Sequence, residues 1–193
     1  MTTDILIYGF AILIQIAILV FFLRKAKKKK QTGAQQNQLP LHPDTYDGKR
    51  QLALQVTPTQ LGLAVQPTVT KVHGLVIDWD MNGTVLTLTA YITGAANAFL
   101  SSGSFLTGAG SNPAVAENAA FLVQMAQGYL GRCMPVNDTG LPLPGTVRFY
   151  LLTNKGVFAA QEMLGAIESD MSSWGDLFYR ANGMLEEIKK STA

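Results

Sequence analysis

Hydrophobic and polar positions change regime three times along the chain. Residues 5–23 (ILIYGFAILIQIAILVFFL) are nineteen consecutive uncharged positions, with Gln15 the one strongly polar side chain. At 1.5 Å per residue the run spans about 28 Å, close to the ~30 Å hydrocarbon core of a bilayer. A soluble helix of that length carries a polar stripe, and this run has none. A cleaved secretory signal needs positive charge ahead of the apolar stretch and small residues behind it. Here Asp4 precedes it, and Phe21, Phe22, Leu23 and Arg24 follow. The pattern predicts a retained transmembrane anchor over residues 1–23. Gln15 is either tolerated near the bilayer centre or hydrogen-bonded to another helix.

Residues 31–50 (QTGAQQNQLPLHPDTYDGKR) have no periodicity and are rich in Gln, Asn, Pro and Gly. With the basic residues before them they read as a juxtamembrane run and flexible linker, 24–50. Beyond lies one folded domain, 51–193. Residues 51–66 fit an amphipathic helix broken at Pro58 or two short strands; a short helix and an irregular approach to a sheet are expected.

From Thr68 to Asp80 the chain alternates, with Val72, Gly74 and Val76 on one face and Leu75, Ile77 and Trp79 on the other. Asn82-Gly83 is a two-residue hairpin signal, because both residues tolerate positive φ. The return strand, 84–92, sets Val85, Thr87, Thr89 and Tyr91 against Leu86, Leu88, Ala90 and Ile92. A third strand follows over 96–101. Asn112-Pro113 reads as an N-cap and first helical residue, starting a helix that runs to about Leu130. Residues 146–153 form a fourth strand. Asn154 is expected to cap a helix over 155–168, with Val157, Ala160, Leu164 and Ile167 inward. A last helix starts at Ser172 or Ser173 and buries Trp174, Leu177, Phe178, Ala181, Leu185 and Ile188. The order β-β-β-α-β-α-α predicts an α+β domain, an antiparallel sheet with its helices packed on one face.

Composition adds limits. The chain has 193 residues, and 48% are hydrophobic, which excludes wholesale disorder. Six of the fifteen basic residues, Arg24, Lys25, Lys27, Lys28, Lys29 and Lys30, sit in one short run; the other nine face thirteen acidic residues. The body is therefore mildly acidic, which argues against a nucleic-acid partner. Cys133 is the single cysteine, so no intramolecular disulfide forms, and a reducing compartment suits it. The basic run lies wholly C-terminal to the apolar stretch, so the N-terminus is expected outside and the domain in the cytoplasm. The same run suits anionic lipid headgroups.

The run Asp78-Trp79-Asp80-Met81-Asn82-Gly83 offers chemistry. Its D-x-D-x-N-G spacing opens a calcium loop, in which alternate side chains converge oxygens on a divalent cation, so Asp78, Asp80 and Asn82 are the candidate ligands. The twelfth position, where such loops place a bidentate Glu, is Thr89, and strand-like flanks exclude a helix–loop–helix hand. The plain alternative is a hairpin with two acidic residues on its solvated face.

LVIDWD also resembles the first motif of the haloacid dehalogenase phosphotransferases over barely eight residues. That resemblance implies Asp78 as nucleophile, Asp80 as acid/base, a parallel sheet, a downstream lysine, for which Lys155 stands in this sequence, and a later acidic pair on a strand end, which this sequence does not supply. A hydrolase or phosphotransferase reading asks for a pocket that brings Lys155 or Lys71 beside the two carboxylates. The Gly103–Ser111 loop before a helix N-terminus invites an anion, but lacks the Gly-Lys-Ser/Thr ending of a phosphate loop. No G-x-S-x-G is present, and Cys133 has no histidine placed to activate it.

No polar constellation converges at the spacing that catalysis demands. The expectation is a single-pass membrane protein with a cytoplasmic, non-catalytic interaction or scaffold domain that has a protein partner. The alternatives are a small membrane-tethered hydrolase or phosphotransferase, and an ion- or nucleotide-responsive regulatory domain, both using the Asp78–Asp80 loop.

Overall fold

A nine-residue helix, α1 (Tyr46–Leu54), precedes strands β1 (Val72–Met81), β2 (Thr84–Tyr91), β3 (Ala96–Leu100) and the two-residue β4 (Phe105–Leu106). Helix α2 (Pro113–Gln127) and a 3-10 turn at Leu130–Arg132 lead to β5 (Met134–Val136), β6 (Thr146–Thr153) and β7 (Gly156–Met163). The short α3 (Leu164–Glu168) and the long α4 (Gly175–Thr192) follow. This is a computed structural model, and it describes residues 43–64, 66–106 and 112–192. The expected membrane span, the basic run, most of the linker and part of the glycine-rich loop lie outside the described residues. No helix among the described residues is long and apolar enough to cross a membrane.

The seven strands form one sheet in the order β4-β3-β2-β1-β6-β7-β5, and every pair is antiparallel. The α+β class and antiparallel sheet expected from the alternation are what the chain forms. Asn82 and Gly83 adopt φ of 55° and 88°, as a two-residue hairpin with the right-handed twist of its strands requires. In β2, Leu86, Leu88 and Ala90 enter one core and Val85 and Tyr91 the other, so the alternation holds residue for residue.

One face of the sheet carries the larger core. Leu75, Ile77, Leu86, Leu88, Phe149 and Leu151 pack against α2 through Val115, Ala119, Leu122 and Ala126. Helix α4 adds Leu177, Phe178, Ala181, Leu185 and Ile188 at the spacing of its apolar stripe. Trp174 stacks on Phe149 at 4.5 Å between ring centroids, and Trp79 meets Phe178 edge-on at 4.8 Å. Asn112 Oδ1 accepts the Ala114 N–H at 3.0 Å with Pro113 at the first helical position, as its sequence signal specifies.

Four expectations need correction. The helices do not all lie on one face: α1 covers the opposite face, where Tyr46, Ala53 and Leu54 join Val76, Tyr91, Tyr150 and Leu152 in a second core. A sheet whose central strands are apolar on both sides leaves one face in water unless something covers it, and α1 is the cover. Helix α1 also begins at Tyr46, inside the stretch read as linker.

Residues 155–168 are not one helix. Asn154-Lys155 is the turn of a hairpin, Gly156 takes φ 110°, and β7 pairs with β6 from Thr153↔Gly156 to Thr146↔Met163. The helical spacing of Val157, Ala160 and Leu164 is overridden because β6, buried on both faces, needs a second neighbour. Asn154 caps no helix; its side chain accepts the Lys71 N–H at 2.8 Å and donates to the carbonyls of Gln66 and Val69.

Val72 does not share a face with Gly74 and Val76. The β1–β6 register slips between Val72 and Gly74, leaving His73 as the extra residue of a bulge, and Val72 joins the core of Leu75 and Ile77. The short strands β4 and β5 carry too few residues to show a period.

Candidate functional site

A polar cluster is sealed between α1 and the middle of the sheet. Thr45 starts the helix, its Oγ1 accepting the Gly48 N–H at 3.1 Å. Tyr46, Arg50, Ala53 and Leu54 then lie at i, i+4, i+7 and i+8, one helical stripe, and all four are buried. That stripe aims Arg50 at β1. Its Nε and Nη2 donate to Asp78 Oδ2 at 2.8 and 2.5 Å, and Thr87 Oγ1 donates to Oδ1 at 2.6 Å. Tyr46 Oη lies 2.8 Å from Thr87 Oγ1. Asp78 is fully buried and Arg50 nearly so.

The loop between β5 and β6 closes the cluster. The Gly140 carbonyl accepts from Tyr150 Oη, from Arg50 Nη2 at 3.2 Å and from Arg148 Nη1 at 3.2 Å. The two guanidinium groups flank the Tyr150 ring, 5.6 and 5.1 Å from its centroid. Thr87, Asp78, Arg148 and Gln161 form one cross-strand row on this face, set by the registers of β2, β1, β6 and β7.

Burial pushes the Asp78 carboxyl above its ordinary range, against the pull of Arg50, Thr87 and Arg148. Burial by itself lowers the Arg50 guanidinium, but the Asp78 charge and hydrogen bonds outweigh it and raise it. The Tyr150 hydroxyl is pushed up to about 12, first by burial and then by Asp78. Those directions describe a cation that stays charged beside a carboxylate deprived of water.

The sequence-derived candidates separate here. Asp78 and Asp80 share a face of β1, as alternation requires, but each meets its own donors. Asp80 Oδ1 accepts the Gly83 N–H at 3.1 Å and Oδ2 the Gly145 N–H at 2.8 Å, so this side chain ties the β1–β2 hairpin to the start of β6. Asn82 supplies the positive-φ turn. Among the described residues, no group of three or more His, Cys, Asp or Glu is arranged to hold a metal ion. Lys71 and Lys155 lie at the Val72–Thr153 end of the sheet, six residues along β1 from Asp78, or about 20 Å. The parallel sheet that the phosphotransferase resemblance implies is absent: β1 pairs antiparallel on both sides. The Cys133 Sγ donates to the Tyr129 carbonyl at 3.6 Å, and burial pushes its thiol up to about 11, away from the reactive thiolate.

Sequence reasoning missed Arg50, Tyr46 and Tyr150. The 46/50/53/54 stripe behind a Thr cap was a usable signal, masked by an arginine standing where an apolar residue is expected. The Gly140 carbonyl has no sequence signature.

Two grooves open on this same face. One is lined by Val56, Pro58, His73, Leu152 and Val157. There His73 Nε2 lies 2.8 Å from the Val56 carbonyl while Nδ1 is buried without a partner. The other lies at the β7 edge, between Val136, Leu141 and Leu143. Comparison with known proteins finds no family model, no curated protein and no solved structure that matches the chain.

Proposed function

We propose that the chain is a single-pass membrane-anchored protein whose folded domain is a cytoplasmic, non-catalytic interaction module. Residues 5–23 are the anchor, and Arg24, Lys25, Lys27, Lys28, Lys29 and Lys30 hold the orientation and contact anionic lipid. Each basic side chain near such a surface adds about 1 kcal/mol. The observation that carries the reading is the placement of exposed apolar side chains: Met134, Leu141, Leu143 and Met163 stand around the β5–β7 end of the sheet. The carboxylates best suited to chemistry are meanwhile committed to donors inside the fold. An apolar rim beside an internally satisfied polar cluster favours docking over turnover.

Two measurements test it. Protease added outside sealed, right-side-out cells leaves the domain intact if it is cytoplasmic; digestion of residues 43–193 from outside overturns the topology. Thermal melts of the purified chain with calcium, magnesium and nucleotides are expected to coincide with the ligand-free melt. A ligand-dependent rise in Tm that is lost on Asp80→Ala replaces the interaction reading with an ion- or nucleotide-responsive one.

A further inference from the structure

The rim at the β7 edge has three properties that together select an occupant. The first is an incomplete ladder. Strand β5 pairs with Val157, Phe158 and Ala159 only, while β7 continues to Met163. Alternation along an antiparallel strand turns the main chain of Gln161 and Met163 outward, as it does for Val157 and Ala159. The Met163 N–H is taken by Glu162 Oε1 at 2.9 Å. Among the described residues nothing pairs with the main chain of Gln161 on that side.

The second property is an apolar trough beside this gap, a cavity of about 420 Å³ walled by Val136, Leu141, Leu143 and Ala159. Leu143 is 63% exposed, and Met134 at 71% flanks it, paired with Ala159. The third is charge. Arg148 lies in the lining and donates to the carbonyls of Gly140 and Asp138, at 3.2 Å each. Asp138 turns its carboxylate onto the Gly140 N–H at 3.0 Å. Asp78, the cross-strand neighbour of Arg148, is within ion-pair distance of Arg50 and attracts Arg148 at longer range, so among the described residues no carboxylate is in ion-pair contact with Arg148.

We propose that this groove docks an extended peptide segment of a partner protein, one carrying alternating apolar side chains and a carboxylate. The segment adds a short strand against Gln161, seats apolar side chains between Leu141 and Leu143, and sets its carboxylate on Arg148. The assignment rests on the interaction-module reading and names its site. Edge-to-edge pairing with a second copy is opposed by Pro135, which has no N–H to offer on the free edge of β5. Glu162 lies on the opposite face of β7 from Arg148 and Gln161, paired with Val147, where its carboxylate accepts from Ser172 Oγ at 3.0 Å and from the Met163 N–H.

The test uses the full chain in lipid nanodiscs against a displayed library of linear dodecapeptides. Enriched peptides are expected to place Asp or Glu within two residues of apolar side chains. They should bind at least tenfold more weakly to Leu143→Glu and to Arg148→Gln, lose affinity with salt, and recover on Arg148→Lys. Leu143 is an exposed rim residue, so Leu143→Glu keeps the test valid if Arg148→Gln unfolds. No enrichment, enrichment of basic peptides, or binding indifferent to Leu143→Glu overturns the groove. Photo-crosslinking in native membranes separates the two levels, with a crosslinker placed at Leu143 or at Phe121, an exposed residue of α2. Adducts at Phe121 but not Leu143 remove the groove and leave the interaction module; adducts at neither remove both.

Discussion

Arg50 of α1 reaches Asp78 of β1 across 28 residues of sequence and grips one carboxylate oxygen with two N–H groups, where Asp78 is sealed from water and Arg50 nearly so. Apolar contacts let a helix slide on a sheet. A two-pronged hydrogen bond to one strand position does not. The pair therefore fixes where α1 crosses the sheet, and with it the Gly140 loop that walls the edge groove. Its net contribution to stability is small beside its effect on position, since desolvation of both charges offsets most of their attraction.

Removing one partner exposes that balance. Arg50→Met leaves Asp78 buried without its cation and is expected to cost about 3–5 kcal/mol in denaturant unfolding. The double variant Arg50→Met/Asp78→Leu should recover most of the loss. A single-variant cost below about 1 kcal/mol would show that the pair does not hold α1.

His73 makes stability pH-dependent in one direction. Burial lowers its pKa below the ordinary 6.5, and Nδ1 has no acceptor for a second proton. As pH falls the unfolded chain takes up the proton first. The stability associated with neutral His73 is thus whole above pH 6.5 and is lost below it, toward the folded-state pKa. Unfolding free energies at pH 7.5 and 5.5 should differ less for His73→Gln than for the parent chain. Equal differences would place the sensitivity elsewhere.

Gly74 has no room for a side chain. A Cβ there would sit 2.9 Å from Tyr91 Cδ1 and 3.0 Å from Leu152 Cδ1, and the Tyr91 hydroxyl is itself committed to the Ala53 carbonyl at 3.0 Å. Gly74→Ala is expected to cost about 1–3 kcal/mol by displacing Tyr91 and loosening the end of α1. Chemical denaturation measures the loss, and a change in Tyr91 environment by NMR locates it.

The β1–β2 turn depends on backbone rather than contact. Gly83 holds φ 88° with open space where a Cβ would stand, so Gly83→Val costs about 1–3 kcal/mol through strain alone. Asn82→Gly, which removes strain while keeping the turn, should stay within about 1 kcal/mol of the parent in the same melt.

Local signals were legible where they stand in one short window. Asn82-Gly83 specifies its hairpin because positive φ at both residues is a property of those residues, and Asn112-Pro113 opens α2 for a similar reason. The inward stripe of α4 follows from 3.6-residue spacing of Leu177, Phe178, Ala181, Leu185 and Ile188. The D-x-D of β1 correctly set two carboxylates on one face, and alternation alone guaranteed that.

What tertiary structure decided is who meets them. Residues 156–163 have helical spacing, yet become a strand because buried β6, the strand just upstream, requires a neighbour on that side. His73 becomes a bulge, turning Val72 to the other core, because β1 must match β6 and β2 at once. The partner of Asp78 is an arginine in a stretch whose composition resembles a linker. Sequence by itself determined β1, β2, β3 and β6, the Asn82-Gly83 hairpin and the inward stripes of α2 and α4, since those depend on interactions within a few residues. The closed polar cluster and the open β7 edge depend on pairings between distant segments, which only the packed sheet brings within reach.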